Sequence, residues 1–261
     1  MKAVLFDLDG VLYQEDRAIP GAVETVAWFR RHAVARLFLT NTTSRPRSVL
    51  VEKLDSMGIP VEPGALLTPP VAAASWLAAN VDGPVALFVT EQTRTEFAGL
   101  RQLPADAEAG AAAVVVGDLG EEWSYPLLNR AFRLLMADPP PRLIALGMTR
   151  YWQATDGLRL DAGPFVAALA MASALQPRVF GKPARPFFQA ALDLLGVEAD
   201  MCLMVGDDIR GDIEGAQAAG LRTLLVRTGK FRPQDLEGDV RPTAVLDSIA
   251  DLPAWWQSSG F

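Results

Sequence analysis

The stretch Val4–Tyr13, "VLFDLDGVLY", decides how the rest of the chain is read. It starts as a short apolar run and ends on two aspartates one residue apart, Asp7 and Asp9, followed by Gly10. Carboxylates rarely stand at the mouth of a buried strand unless a cation or a transferable proton meets them. Three more apolar runs end on polar chemistry. "ARLFLT" leads to Thr40 and Asn41, "RVFG" to Lys182, and "MCLMVG" to Asp207, Asp208 and Asp212. Open parallel sheets build their sites at the carboxyl ends of strands, so these residues converge if the four strands are neighbours.

Between these points apolar runs alternate with helical periodicity, the pattern of an α/β protein with a mainly parallel sheet. "GAVETVAWFRRH" and "RPRSVLVEKLDSMG" read as helices, the second closed by Gly58. "TPPVAAASWLAAN" opens with Thr68 as a cap and two prolines in the first turn, as a helix start should. A second α/β run follows in "PVALFVT", "AAAVVVG", "YPLLNRAFRLLMA" and "RLIALG". "RYWQATDGLRLD" reads as a hairpin about Asp156 and Gly157. Its Arg150, Tyr151 and Trp152 are candidates for a specificity surface. Trp255 and Trp256 read as packing for the last helix.

Composition excludes several classes. The chain has 261 residues, half of them apolar, and a formal charge of −7. No basic stripe is present to replace phosphate counterions, so nucleic acid is not the expected partner. No apolar stretch approaches the roughly 20 residues of a membrane span, and "MKAVLFDLDG" turns charged too early for a signal peptide. The single cysteine, Cys202, lies in an apolar run and reads as a buried structural thiol, which suits a reducing cytoplasm. The single histidine, His32, reads as surface filler on a helix, so a Ser-His-Asp triad is not expected. Chemistry is left to carboxylates, lysine, hydroxyls and a hard metal.

Five acids, one lysine and a hydroxyl–amide pair restrict that chemistry. Carboxylates packed together repel, and a cation or proton uptake must relieve them. All-oxygen ligands favour Mg²⁺. With a phosphate neutralised by Mg²⁺ and Lys182 and hydrogen-bonded by Thr40 and Asn41, one carboxylate can attack phosphorus. A second can protonate the leaving oxygen and later take a proton from water. A calcium loop counted from Asp7 fails, because its twelfth position is Ala18 rather than glutamate. "GKP" lacks the Gly-rich loop of a Walker sequence.

"DLDGVLY", "LTN", "GKP" and "GDD…GD", in this order, resemble the four motifs of the haloacid dehalogenase-like (HAD) phosphohydrolases. The resemblance implies a doubly wound, Rossmann-like parallel-sheet core. It implies Asp7 as nucleophile and metal ligand, and Asp9 as acid/base that also offers its backbone carbonyl to Mg²⁺. Thr40 and Asn41 would bind the phosphoryl group, Lys182 would clamp phosphate and Asp7, and Asp207 would ligate the metal. Asp212 would support the metal waters, with Asp208 in the surrounding shell or only structural. No extra domain fits between Asp9 and Thr40, whereas about 140 residues separate Asn41 from Lys182. The chain is therefore read as a core of residues 1–79 and 177–261 with an α/β cap at 80–176, as in the nitrophenylphosphatase-like branch. Closer still, "GLRLDAGPFVAAL", "VFGKP" and "VGDDIRGDIEGAQAAGLRTLLVRTGKFRP" resemble the phospholysine phosphohistidine inorganic pyrophosphate phosphatases. In the animal members of that group a serine stands where this chain has Asp9.

The expected function is Mg²⁺-dependent hydrolysis of small phosphorylated compounds through phospho-Asp7, with the cap choosing the leaving group. Pyrophosphate or P–N substrates are the alternative. A homodimer through the cap is implied by the resemblance. A dehalogenase would need neither Asp9 nor a metal cluster, and a phosphate-responsive binding protein would not need a full catalytic set.

Overall fold

The computed structural model describes residues 1–154 and 156–259. The chain forms two compact units. The first takes Met1–Thr40, Arg47–Leu67 and the chain from Lys182 onward; the second takes Asn41–Pro46 and Thr68–Gly181.

The first unit is built on a six-stranded sheet in the order Ala244–Leu246, Arg222–Val226, Cys202–Gly206, Ala3–Asp7, Ala35–Leu39, Leu66–Leu67. Every pairing in it is parallel. From the Ala3–Asp7 strand the chain first builds outward through Ala35–Leu39, and later resumes on the other side with Cys202–Gly206. That reversal makes the carboxyl end of Ala3–Asp7 the switch point at which open α/β sheets bind their ligands.

Both Ala3–Asp7 and Cys202–Gly206 are buried at every residue, as a parallel strand covered on two faces must be. Alternate side chains go to opposite faces. Val4, Phe6, Leu203, Val205, Leu224 and Val226 pack on one face with Phe29, Leu54 and Trp256. On the other, Leu225 packs with Ile213 and Val240. The helix Ala22–Arg31 delivers Phe29 edge-on to Phe6 at 5.4 Å and to Trp256 at 5.0 Å. Trp256 therefore docks the last helix, Leu252–Ser258, as its sequence suggests. His32 is exposed, stacks on Trp28, and sits with Nδ1 2.8 Å from the Trp28 carbonyl, the place of a surface residue. Cys202 is fully buried, and burial pushes its thiol up to about 12, far from a reactive thiolate.

The second unit has a four-stranded parallel sheet, Arg178–Val179, Arg142–Ala145, Ala113–Val116, Val85–Phe88 in order. The helices Tyr125–Leu135 and Ala162–Ser173 bury Ala131, Leu134, Leu135, Val166 and Leu169 against it. Pro69–Asn80 starts as its sequence indicates, with Thr68 Oγ1 accepting from the Val71 amide. Tyr151–Ala154 and Gly157–Leu160 pair antiparallel as a hairpin; its expected Asp156–Gly157 turn adjoins residue 155, which lies outside the described residues.

One strand falls elsewhere than the sequence suggests. "RVFG" reads like the strands of the first sheet, yet Arg178–Val179 is the edge of the second, fixed by the Phe180 amide donating to the Ala145 carbonyl at 2.8 Å. Trp76 anchors the same region, with its ring 5.9 Å from Phe180 and the Arg178 guanidinium 4.5 Å over it. The second unit thus holds residues 80–176 and extends past them at both ends.

No helix among the described residues is long and apolar enough to cross a membrane. Phe29 has no exposed surface and makes three aromatic contacts, so Phe29→Ala is expected to cost about 3–5 kcal/mol in chemical denaturation.

Candidate active site

Asp7 is the last residue of its strand and only 6% exposed. On one side its neighbour in register is Leu39, so Thr40, also buried, emerges just beyond. On the other side the paired strand ends at Gly206, and Asp207, fully buried, follows. Three of the four strand ends expected to meet are thus adjacent in one sheet.

Lys182 arrives without a strand in that sheet. Its Nζ lies 2.5 Å from Asp7 Oδ1 and 2.6 Å from Asp212 Oδ1. Burial works to lower the lysine pKa, but Asp212 and Asp7 outweigh it and hold the ammonium protonated. Asp212 comes from the tight turn Ile209–Glu214 that follows Asp207 and Asp208, and its Oδ2 accepts from both their backbone amides at 3.2 Å. Carboxylate oxygens of Asp7, Asp207 and Asp212 all lie within 4.8 Å of one another.

Such crowding shows in their acidity. Burial, before any neighbour, raises all three pKa values, Asp207 and Asp212 to about 6. Lys182 pulls back on each of them, and the Lys230 backbone amide, donating to Asp207 Oδ2 at 2.6 Å, pulls back on Asp207 as well. Asp207 Oδ1 is buried and has no hydrogen-bond partner among the described residues. Three carboxylates share the buried Lys182 ammonium, with the exposed Lys230 ammonium acting on them as well, so the cluster keeps an excess of negative charge. A hard divalent cation fits that donor set in charge and in chemistry.

The other expected residues lie as follows. Asp9 is exposed, two residues beyond Asp7, and its carboxylate is not part of the cluster. Asp208 caps the Ile209–Glu214 turn, with Oδ1 accepting from the Arg210 and Gly211 amides at 3.0 and 2.8 Å. Burial alone would raise its pKa, but those amides and the Lys230 ammonium leave it lowered, the state of a structural cap. Asn41 follows Thr40 in the chain but begins the second compact unit. Arg150, Tyr151 and Trp152 are all exposed on that unit, with the Arg150 guanidinium 5.7 Å from the Tyr151 ring.

Sequence reasoning passed over Lys230, whose contribution to Asp207 is a backbone amide that any residue but proline carries. One signal was available. "VRTGK" closes the strand Arg222–Val226, and by the same strand-end rule its loop belongs at the site.

Family models give the same reading of the chain. A model described as haloacid dehalogenase-like hydrolase matches residues 4–101, and one described as HAD-hydrolase-like matches residues 179–252. The phospholysine phosphohistidine inorganic pyrophosphate phosphatase of Homo sapiens is 38% identical over 96% of this chain and 92% of its own length. The chain belongs to the HAD-like hydrolase family. Haloacid dehalogenase-like hydrolase domain-containing protein 2 of Bos taurus is 39% identical, over 94% of this chain and 91% of that protein. The solved p-nitrophenyl phosphatase of Archaeoglobus fulgidus superposes with a TM-score of 0.87 at 28% identity, covering 97% of this chain and 98% of that one. This HAD-like hydrolase is an enzyme of the phosphatase kind, with the parallel α/β fold of its structural neighbours.

The raised pKa values fix the sign of a pH effect. Asp207 and Asp212 bind protons up to about pH 6 in the folded protein but only to about 3.8 when unfolded. Folding is therefore favoured as pH falls through 6, where the folded state holds more protons. In chelator-treated protein the melting temperature is expected to be higher at about pH 5 than at about pH 7.5, with a smaller difference in Asp212→Asn. Differential scanning calorimetry across that range checks it.

Proposed function

We propose that this chain hydrolyses small phosphorylated compounds in two steps through an acyl phosphate on Asp7, with Asp9 as acid and then base. The observation that carries the reading is Asp7 itself, a buried carboxylate at the turning point of the sheet, held by a protonated Lys182. An Asp7 oxygen attacks phosphorus as the bond to the leaving oxygen breaks, and Asp9 gives that oxygen its proton. Asp9 then takes a proton from water as the water attacks phosphorus, which releases phosphate and restores the Asp7 carboxylate. Lys182 keeps Asp7 ionised and offers its ammonium to the transferring oxygens; Thr40 and Asn41 would bind them as hydrogen-bond donors. Asp9 suits its part because it is exposed and outside the acidic cluster, free to meet a leaving group and then water.

Asp7, Asp207 and the Asp9 carbonyl would hold Mg²⁺, backed by Asp212, and the bound ion supplies Lewis-acid withdrawal of phosphoryl charge. Support comes from Asp207 Oδ1, which has no partner among the described residues, and from the grouping of Asp7, Asp207 and Asp212.

A second reading, pyrophosphate or P–N bonds as substrate, is favoured by the name of the relatives that align over nearly the whole chain. The two readings differ in the leaving group. An alkoxide needs the proton of Asp9, whereas a phosphate leaving group needs it far less.

Phosphate release separates these roles. Asp7→Asn is expected to abolish release from every compound. Asp9→Asn should lower kcat by about 10²–10⁴ on an alkyl phosphate and much less on p-nitrophenyl phosphate, whose leaving group departs without a proton. Full-rate release by Asp7→Asn would sink the reading. Comparing kcat/KM for pyrophosphate, imidodiphosphate and alkyl phosphates decides between the two substrate classes.

A further inference from the structure

Two glycines from distant parts of the chain meet over Asp207. Gly10, in the loop that carries Asp9, has φ +85°, and Gly229, after the strand Arg222–Val226, has φ +59°, the left-handed region that favours glycine. A Cβ on Gly10 would stand 3.0 Å from the Gly229 Cα, and one on Gly229 would stand 2.5 Å from the Gly10 Cα. Either would also overlap Asp207 Oδ2. The two backbones and the carboxylate are in direct contact, with no room for side chains between them.

The residues flanking Gly229 tie this contact down from both sides. Thr228 Oγ1 donates to the Gly10 carbonyl at 2.5 Å. The Lys230 amide donates to Asp207 Oδ2 at 2.6 Å. One three-residue loop therefore fixes the position of the nucleophile loop and the orientation of the Asp207 carboxylate. With Oδ2 held, Oδ1 is left buried and without a partner among the described residues, on a carboxylate that clusters with Asp7 and Asp212.

We propose that Thr228 is a positioning residue for the cation site, its hydroxyl latching the Gly10 loop so that the Asp7–Gly10 and Thr228–Lys230 backbones keep Asp207 Oδ1 presented. This rests on the cation-assisted phosphatase reading above. Thr228 touches neither substrate nor the reacting atoms; it acts through Gly10 and, by way of its neighbour's amide, through Asp207. Groups that orient metal ligands change affinity by roughly 10–100-fold when removed.

The test is calorimetric titration of the chelator-treated full chain with MgCl₂, beside the melting temperature of each variant. Thr228→Val is expected to weaken Mg²⁺ binding by about 10-fold or more, and Thr228→Ser to restore it. Thr228→Ala serves in place of valine if the valine variant does not fold. A valine or alanine variant that melts lower but binds Mg²⁺ like the parent would overturn the proposal, since the hydroxyl would then serve stability alone. Failure of serine to restore binding would overturn it too. A parent chain whose Mg²⁺ binding is absent, or survives Asp207→Asn, would overturn the cation reading and this proposal with it, which distinguishes the two failures.

Discussion

The constraint on which this structure depends is the burial of three carboxylates beside a single ammonium. Asp7, Asp207 and Asp212 are each less than a tenth exposed, and Lys182 reaches two of them. Removing charges from water costs several kcal/mol per ion unless attraction and hydrogen bonds offset it. Here the offset is incomplete. Backbone amides satisfy Asp212 Oδ2 and Asp207 Oδ2, Lys182 answers Asp7 and Asp212, and the cluster still carries excess negative charge. Replacing a buried ionic cluster by apolar residues of similar volume is often neutral or stabilising, so the fold has no need of this one.

The sheet makes that concentration of charge possible. Parallel strands buried on both faces end together at one edge, and the chain changes direction at Ala3–Asp7, the switch point of the sheet. Strand order sets Thr40 on one flank of Asp7 and Asp207 on the other. The loop after Arg222–Val226 then closes on the loop after Ala3–Asp7 through Gly10 and Gly229. The meetings of Asp7 with Asp207 and of Gly10 with Gly229 each join residues about two hundred positions apart, so the site exists only when the whole sheet has formed.

Much of this was legible in the sequence, and for identifiable reasons. Five-residue apolar runs such as "AVLFD" and "CLMVG" announce fully covered strands, and the polar residue after each announces the site. "RVFG" misled because a two-residue strand carries no periodicity that assigns it to one sheet over another; a hydrogen bond to Ala145 and the packing of Trp76 made the choice. The sequence leaves Asp208 between the surrounding shell of the site and a purely structural place, and the turn geometry shows its Oδ1 committed to local amides. The amide of Lys230 and the close approach of Gly229 left no side-chain signature at all. Asp9 is the reverse case: its carboxylate is plain in the sequence, and the structure adds that it is exposed and stands outside the acidic cluster.

The central claim is a covalent bond between Asp7 and phosphorus, and borohydride trapping tests it most directly. An acyl phosphate formed during turnover is reduced by borohydride, which converts the aspartate that carried it to homoserine, and peptide mass spectrometry locates the change. The account predicts homoserine at position 7, formed only when substrate is present. Substrate-dependent homoserine at position 9, or phosphate release with no residue reduced, would contradict it.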